Sequence, residues 1–462
     1  MFFQGKPVIL FQNVSNYFLT MQHNIIDEQV LQDKLLEAAI TDFDEASIRD
    51  IVKVANLLEK SSGKSFVRME MGVPGLPPAA TGTQAEIDAL KMGVAQYYPM
   101  LEGFPELAVE ASRFVKNFMN IDIRPEHIIP TVGAMQASYV SFMALTECKP
   151  GQDTVLFIDP GFSVQKTQME VIGKPYESFD IYAYRGKELR NKLESYLKQG
   201  HICAIVYSNP NNPAWICLTE EELRIIGELA NQYDIIILED LAYFAMDFRQ
   251  DLSHPGIPPF QPTVARYTDN YIFMISSSKL FSYAGQRLGL LCISDQLYRK
   301  KYEGLKKRYQ SEELGYTLVY KLIYTQTSGT AHSPQFALAA ILRAANEGTL
   351  DILADVKEYG ERACTMKKLF TEAGFDIVYD KDGEENIGDG FYFTIGYPGY
   401  SGGELAKELL YYGISSLPLK KCGSKREGLR ACVSQISPDK MKLLEERLEL
   451  FKKDHPAAAA GK

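Results

Sequence analysis

An α/β fold on a parallel sheet, followed by a smaller α+β unit, is the architecture this sequence predicts. Short β-branched apolar runs recur through the middle of the chain: "TVLFI" at 154–158, "CAIVY" at 203–207, "IIIL" at 235–238, "YIFMI" at 271–275 and "LGLLCI" at 288–293. Helical patterns separate most of them, such as "TEEELRIIGELANQY" at 219–233, capped by Thr219. The apolar runs are nearly continuous rather than alternating, as in strands covered on both faces.

The flanking elements follow in order. Residues 27–60 read as two amphipathic helices; the second, within "DFDEASIRDIVKVANLLEKSSG", has Asp42 or Asp44 as candidate cap. Gly63 and "MGVPGLPPAATG" then mark a loop. Beyond about residue 300 the chain is mostly helical, including "SPQFALAAILRAANEG" at 333–348. It closes on "FDIVYD", "GFYFTIG" and "LRACVS" with helices between, the pattern of a smaller α+β domain. No internal repeat is visible, and the terminal "HPAAAAGK" is expected to fray.

Composition narrows the class. With 462 residues, 46% hydrophobic and 23% charged, the chain reads as a globular protein of two or more domains. A net charge of −10 argues against a nucleic-acid partner, and Lys306-Lys307-Arg308 reads as a solvated helix face. The seven cysteines show no C-x-x-C spacing, so no metal site or redox pair is signalled. No secretory leader or membrane-length apolar run is seen, which makes the cytoplasm the expected compartment and excludes a membrane partner.

In an open parallel α/β sheet, ligands bind beyond the carboxyl ends of the strands. The residues following the apolar runs are Asp159-Pro160-Gly161-Phe162, "SNPNNPAW" at 208–215, Glu239-Asp240, and Ser276-Ser277-Ser278-Lys279. A carboxylate, amides, hydroxyls and a lysine thus converge on one edge. A lysine Schiff base with pyridoxal phosphate needs such a set: the lysine, a carboxylate that keeps the pyridine nitrogen protonated, and a phosphate cradle. The cradle is readable in "TVGAMQASYVSFMAL", where a glycine opens a helix whose free N–H groups attract anions, with Ser276 and Arg287 flanking Lys279.

Taken together these residues resemble the fold-type-I pyridoxal-phosphate enzymes, specifically the class I/II aminotransferases. "SSSKLFSYAGQRLG" resembles the family's S-x-S-K…G-x-R-x-G, implying Lys279 as the Schiff-base lysine with Ser276, Ser278 and Arg287 toward the phosphate. "EDLAY" resembles D-x-A-Y, implying Asp240 on the pyridine nitrogen and Tyr243 on the phenolic oxygen. "NPNNP" resembles N-P-x-N-P, implying that Asn212 also contacts that oxygen, while Asn209 and Asn211 stay structural. "VGAMQA" is similar to the phosphate turn, implying Gly133, Ala134 and Met135, and "IDPGF" implies Phe162 stacked on the ring. "GLRACVS" implies Arg430 as the clamp for the substrate α-carboxylate, with Gly72 of "MGVP" beside it. "YYPMLEGFPEL" implies a tyrosine reaching a neighbouring subunit's phosphate: Tyr98 counting from Gly103, Tyr97 counting from Pro99.

The resemblance spans roughly residues 65–450 and implies a mostly parallel seven-stranded sheet covered by helices, plus a smaller α+β domain formed by both chain ends. The boundaries expected are 1–64 for an N-terminal helical extension, 65–94 with 326–455 for the small domain, and 95–325 for the large one. It further implies pyridoxal 5'-phosphate as cofactor, amino acid and 2-oxo acid substrates, and a homodimer with sites at the interface. In the family, N-terminal segments often pack on the partner subunit. β-Elimination on the same cofactor is the alternative reaction; a regulatory domain of this fold is disfavoured because residues 1–64 lack a basic recognition helix. One departure stands out: Ala214-Trp215, with the chain's only tryptophan, replaces the usual Thr-Gly, giving Trp215 a candidate part in the substrate pocket. Taken singly, Asp240 also fits a strand-end cap, Phe162 a core aromatic and Arg430 an edge-strand ion pair. The donor's side chain stays open among aspartate, aromatic and aliphatic amino acids.

Overall fold

Seven strands form the central sheet: β1 (Ile128–Val132), β2 (Thr154–Asp159), β3 (Tyr176–Asp180), β4 (Ile202–Ser208), β5 (Ile236–Leu241), β6 (Tyr271–Ser276) and β7 (Leu288–Ile293). Their order is β1-β7-β6-β5-β4-β2-β3. The β7 strand runs antiparallel to both neighbours, and every other pairing is parallel. The computed structural model that shows this describes residues 23–456; the first part of the N-terminal extension and the terminal "AAAAGK" lie outside them.

The five apolar runs are the five inner strands. The two strands they do not include are the sheet's edges. In β1, Pro130 lacks a backbone donor, which an edge tolerates, and β3 ("YESFD") is half-exposed over its first three residues. Inner strands bury both faces in alternation. Ile272 and Met274 of β6 join the same core layer as Val140 and Leu145 of the helix Gly133–Leu145, while Tyr271, Phe273 and Ile275 join the opposite layer. Burying each such side chain stabilises by about 1.5–3 kcal/mol, so a one-residue slip in register would be heavily penalised.

The cap of the second of the two N-terminal helices is Ser47, not Asp42 or Asp44. Its hydroxyl accepts the Asp50 N–H (3.3 Å) while the Asp50 carboxylate accepts the Ser47 N–H (2.9 Å), a reciprocal box starting the helix Ile48–Ser62. Asp42 instead accepts the N–H of Asp44 (2.9 Å) in the preceding bend. Thr219 caps Glu220–Tyr233 by the same reciprocal pattern with Glu222. The described part of the extension packs on its own chain: Ile25 and Ile26 donate N–H to the Tyr411 carbonyl (2.9 and 3.0 Å).

A second, antiparallel sheet orders Leu417–Pro418, Leu429–Cys432, Tyr392–Gly396 and Asp376–Ile377. Val67–Arg68 pairs in parallel with Ile414–Ser415, tying the segment before Gly72 to the C-terminal region. Arg430 lies opposite Thr394, so its diagonal neighbour on the adjacent strand is Tyr392.

Candidate active site

A cavity of about 320 Å³ lies at the carboxyl edge of the central sheet, closed from above by the second sheet. Its walls contain Gly72, Ala134, Met135, Phe162, Asn212, Asp240, Tyr243, Ser276, Ser278, Lys279, Arg287 and Arg430. All but four of the site residues expected from sequence therefore meet in one place. The exceptions are Gly133, which abuts the wall, and Trp215, Tyr98 and Tyr97.

The floor is a set of strand ends. Asp240 sits in β5, buried, with Oδ1 accepting the Ala242 N–H (3.0 Å) and Oδ2 accepting from Gln165 Nε2 (2.9 Å). Burial raises its pKa to about 6 against those two donors, so it remains ionised at neutral pH. Lys279 follows β6 in the short turn Ser277–Leu280, where Ser276 Oγ accepts the Ser278 N–H (3.2 Å). Its Nζ donates to the Gly72 carbonyl. Burial, then the neighbouring Arg430 and Arg287, lowers its pKa to about 8.

At one end, β1 turns into the helix Gly133–Leu145, whose first N–H groups have no intrahelical acceptors. Gly133 has φ +66°, and a side chain there would meet Arg287 Nη2 at 2.6 Å; a side chain at Gly289 would meet the Ala134 nitrogen at 2.7 Å. The bare Gly133 lets the Arg287 guanidinium lie close over the turn, and the bare Gly289 lets β7 approach the backbone of the turn itself. Arg287 is exposed, so this end of the cavity faces outward.

At the other end Arg430 is 2% exposed. Its Nη1 donates to Asn212 Oδ1 (3.4 Å) and its Nη2 to the Glu70 carbonyl, while Nε is buried with no partner. No carboxylate among the described residues pairs with it. A buried guanidinium in that state is costly until an anion arrives. The edge-strand ion pair is thereby set aside.

Trp215 does not line the cavity. It is fully buried behind it, with its ring edge-on to Tyr243 (5.5 Å) and Tyr392 (6.4 Å). Tyr98 and Tyr97 are 89% and 63% exposed and stand outside the cavity of their own chain. Asn211 and Asn209 hold the loop: Asn211 Nδ2 donates to the Pro160 carbonyl (2.7 Å) and Asn209 Oδ1 accepts the Leu218 N–H (3.1 Å). Several wall residues were not found from sequence, three of them outside any site motif. Gln165 lies inside a helix, Ile48 at the start of another, and Tyr392 in the strand of the second sheet. Only "GFYFTIG" carried a signal, an aromatic strand of unknown facing.

These observations decide the family. The chain belongs to the aminotransferase class I and II family, whose model matches residues 68–448. Family members carry pyridoxal phosphate, and the residues present fit it: an outward-facing anion cradle, a buried lysine, an ionised buried carboxylate and an arginine lacking an acid partner. An aspartate aminotransferase of Pyrococcus horikoshii is 28% identical over 254 residues, 54% of this chain and 61% of that protein. A probable aspartate aminotransferase of Methanocaldococcus jannaschii is 27% identical over 55% of this chain and 62% of its own. The chain thus aligns over about three fifths of the length of these relatives. In fold, it resembles an alanine aminotransferase from Pyrococcus furiosus (TM-score 0.71, 21% identity, covering 90% of this chain and 99% of that one). It likewise resembles the Thermus thermophilus aspartate aminotransferase with maleate (TM-score 0.69, 18% identity, 90% and 98%). No helix among the described residues is long and apolar enough to cross a membrane, and no metal-ligand cluster is found among them.

Proposed function

We propose that this family member transfers an amino group from an L-amino acid to a 2-oxo acid with pyridoxal phosphate. The observation that carries the proposal is the convergence of Lys279, Asp240, the Arg287-covered turn and the unpaired Arg430 on one cavity. When bound, pyridoxal phosphate supplies an electron sink that takes up the electron pair left when a Cα–H bond breaks.

Every other role falls to side chains of this chain. Lys279 holds and moves a proton at Nζ; at a pKa of about 8, roughly a tenth of the amine is unprotonated at pH 7, enough for a general base. Asp240 holds a proton at the pyridine nitrogen, and Gln165 fixes the carboxylate that does so. The N–H groups of Ala134 and Met135 beside Gly133, together with Ser276, Ser278 and Arg287, bind the phosphate. Phe162, in the cavity wall, would stack on the ring. Tyr243 and Asn212 donate to the phenolic oxygen. Arg430 would bind the α-carboxylate, with Gly72 at its side.

The division into an extension (1–64), a small domain (65–94 with 326–455) and a large domain (95–325) belongs to the same reading, because Val67–Arg68 pairs with Ile414–Ser415 and so joins the N-terminal segment to the C-terminal region that builds the second sheet. So does a second copy of the chain. Ile87, Leu90, Met92, Tyr97, Tyr98 and Met100 form an exposed apolar run, and Tyr98 is available to an outward-facing cradle on a partner. Light scattering of the purified protein gives a dimer if this holds and a monomer if it fails.

The reaction is tested by visible absorbance of the protein with pyridoxal phosphate. Bleaching by one amino acid and recovery on adding a 2-oxo acid supports transamination. Pyruvate release from cystathionine with no oxo acid present would instead mark β-elimination.

A further inference from the structure

Tyr392 and Tyr243 approach each other at the back of the cavity. The Tyr243 hydroxyl donates to the Tyr392 hydroxyl at 2.9 Å, and the rings meet edge to face at 5.4 Å. Both groups are buried, and burial pushes both hydroxyls upward, so each keeps its proton at neutral pH. Two oxygens therefore share one line with two protons. If Tyr243 turns its proton toward an acceptor in the cavity, the line between them is filled by the proton of Tyr392. Donation into Tyr243 then strengthens the donation out of it, since hydrogen bonds in a chain polarise one another.

The same ring serves a second group. The Arg430 guanidinium lies 4.7 Å from the centre of the Tyr392 ring, within cation–π range. The position of the ring is fixed from several sides. A side chain at Gly72 would come within 1.9 Å of the Tyr392 hydroxyl, and Trp215 stands edge-on behind both tyrosines. Gly390 makes room for that tryptophan, because a side chain there would lie 1.9 Å from the indole.

We propose that Tyr392 is a positioning residue joining the two halves of the site: its hydroxyl sets the direction of the Tyr243 hydroxyl, and its ring is the platform that orients Arg430. The inference rests on the reading of this cavity as a pyridoxal-phosphate site. It also assigns Trp215 a place as the wall behind the tyrosine pair.

Two variants separate the hydroxyl from the ring. A donor on the phenolic oxygen favours the form with more negative charge there. Weakening that donor raises the pH at which the visible spectrum of the bound cofactor changes. In holoenzyme Tyr392→Phe that midpoint is expected to rise by about half a pH unit, with KM for the best donor among L-alanine, L-aspartate, L-leucine and L-phenylalanine changed less than about twofold, because the ring stays. In Tyr392→Leu the midpoint rises similarly and KM increases about tenfold. Thermal unfolding of both holoenzymes supplies the folding control. An unmoved midpoint in a folded Tyr392→Phe overturns the hydroxyl role, and an unmoved KM in a folded Tyr392→Leu overturns the platform. A wild-type protein that takes up no pyridoxal phosphate overturns the inference together with the reading beneath it.

Discussion

The floor and the roof of the cavity solve opposite problems. On the floor, at the central sheet, the Asp240 carboxylate has two fixed donors before any ligand is considered. In the roof, at the second sheet, Arg430 is equally buried but has one long contact to Asn212, one backbone carbonyl and a nitrogen with no partner. A group that stays with its ligand through every turnover is best held rigid and satisfied. On the proposed reading, Arg430 has to capture and release a substrate carboxylate, and such a group is best left short of one anion.

Four substitutions would break or sharpen that contrast. Lys279→Ala should have the largest effect, lowering kcat by at least about 10⁴-fold in a steady-state assay. A reducible lysine-linked chromophore persisting in that variant would place the lysine elsewhere. Asp240→Asn should come next, lowering kcat by roughly 10²–10³-fold. It should also stabilise the cofactor-free protein. The folded pKa of about 6 exceeds the ordinary carboxylate value of 3.8, so the folded state binds more protons between those values and loses stability as pH rises through them. Above pH 6 the ionised carboxylate costs about 2–3 kcal/mol, and the amide removes that cost. A melting temperature at pH 7.5 higher than wild type by a few degrees, with the gain vanishing below pH 4, checks the sign.

Arg430→Lys tests the roof alone. Losing the planar fork should raise KM for amino donors about 10–100-fold and change kcat much less, as kinetics with saturating oxo acid would show. Trp215→Phe should have the smallest effect on turnover. Because the indole stands behind the wall, KM should shift less than about threefold, while denaturant unfolding shows a loss of about 1–3 kcal/mol. A large KM change with stability intact would put Trp215 in contact with substrate after all.

The Gly133 turn was legible in the chain as a glycine opening a helix. The positions of Lys279 after β6 and Asp240 at the end of β5 were legible because a parallel sheet converts "just after an apolar run" into "at the ligand edge". The five inner strands were legible for the same reason: burial on both faces writes a continuous apolar run. The two edge strands were not, since one half-exposed face and a proline erase that pattern. Gln165 was not legible either, because nothing local tells which helical glutamine will point at a carboxylate.

What the sequence by itself determined is the chemical inventory and the edge on which most of it lies, since strand periodicity and turn chemistry are local. What only the tertiary structure decided is the meeting of distant segments. Arg430 has no acid partner, Tyr392 bridges Tyr243 and Arg430, and Trp215 sits behind the wall rather than in it. Each depends on how the second sheet closes over the first. That closure is set by the packing of residues hundreds of positions apart, and no spacing within a single segment encodes it.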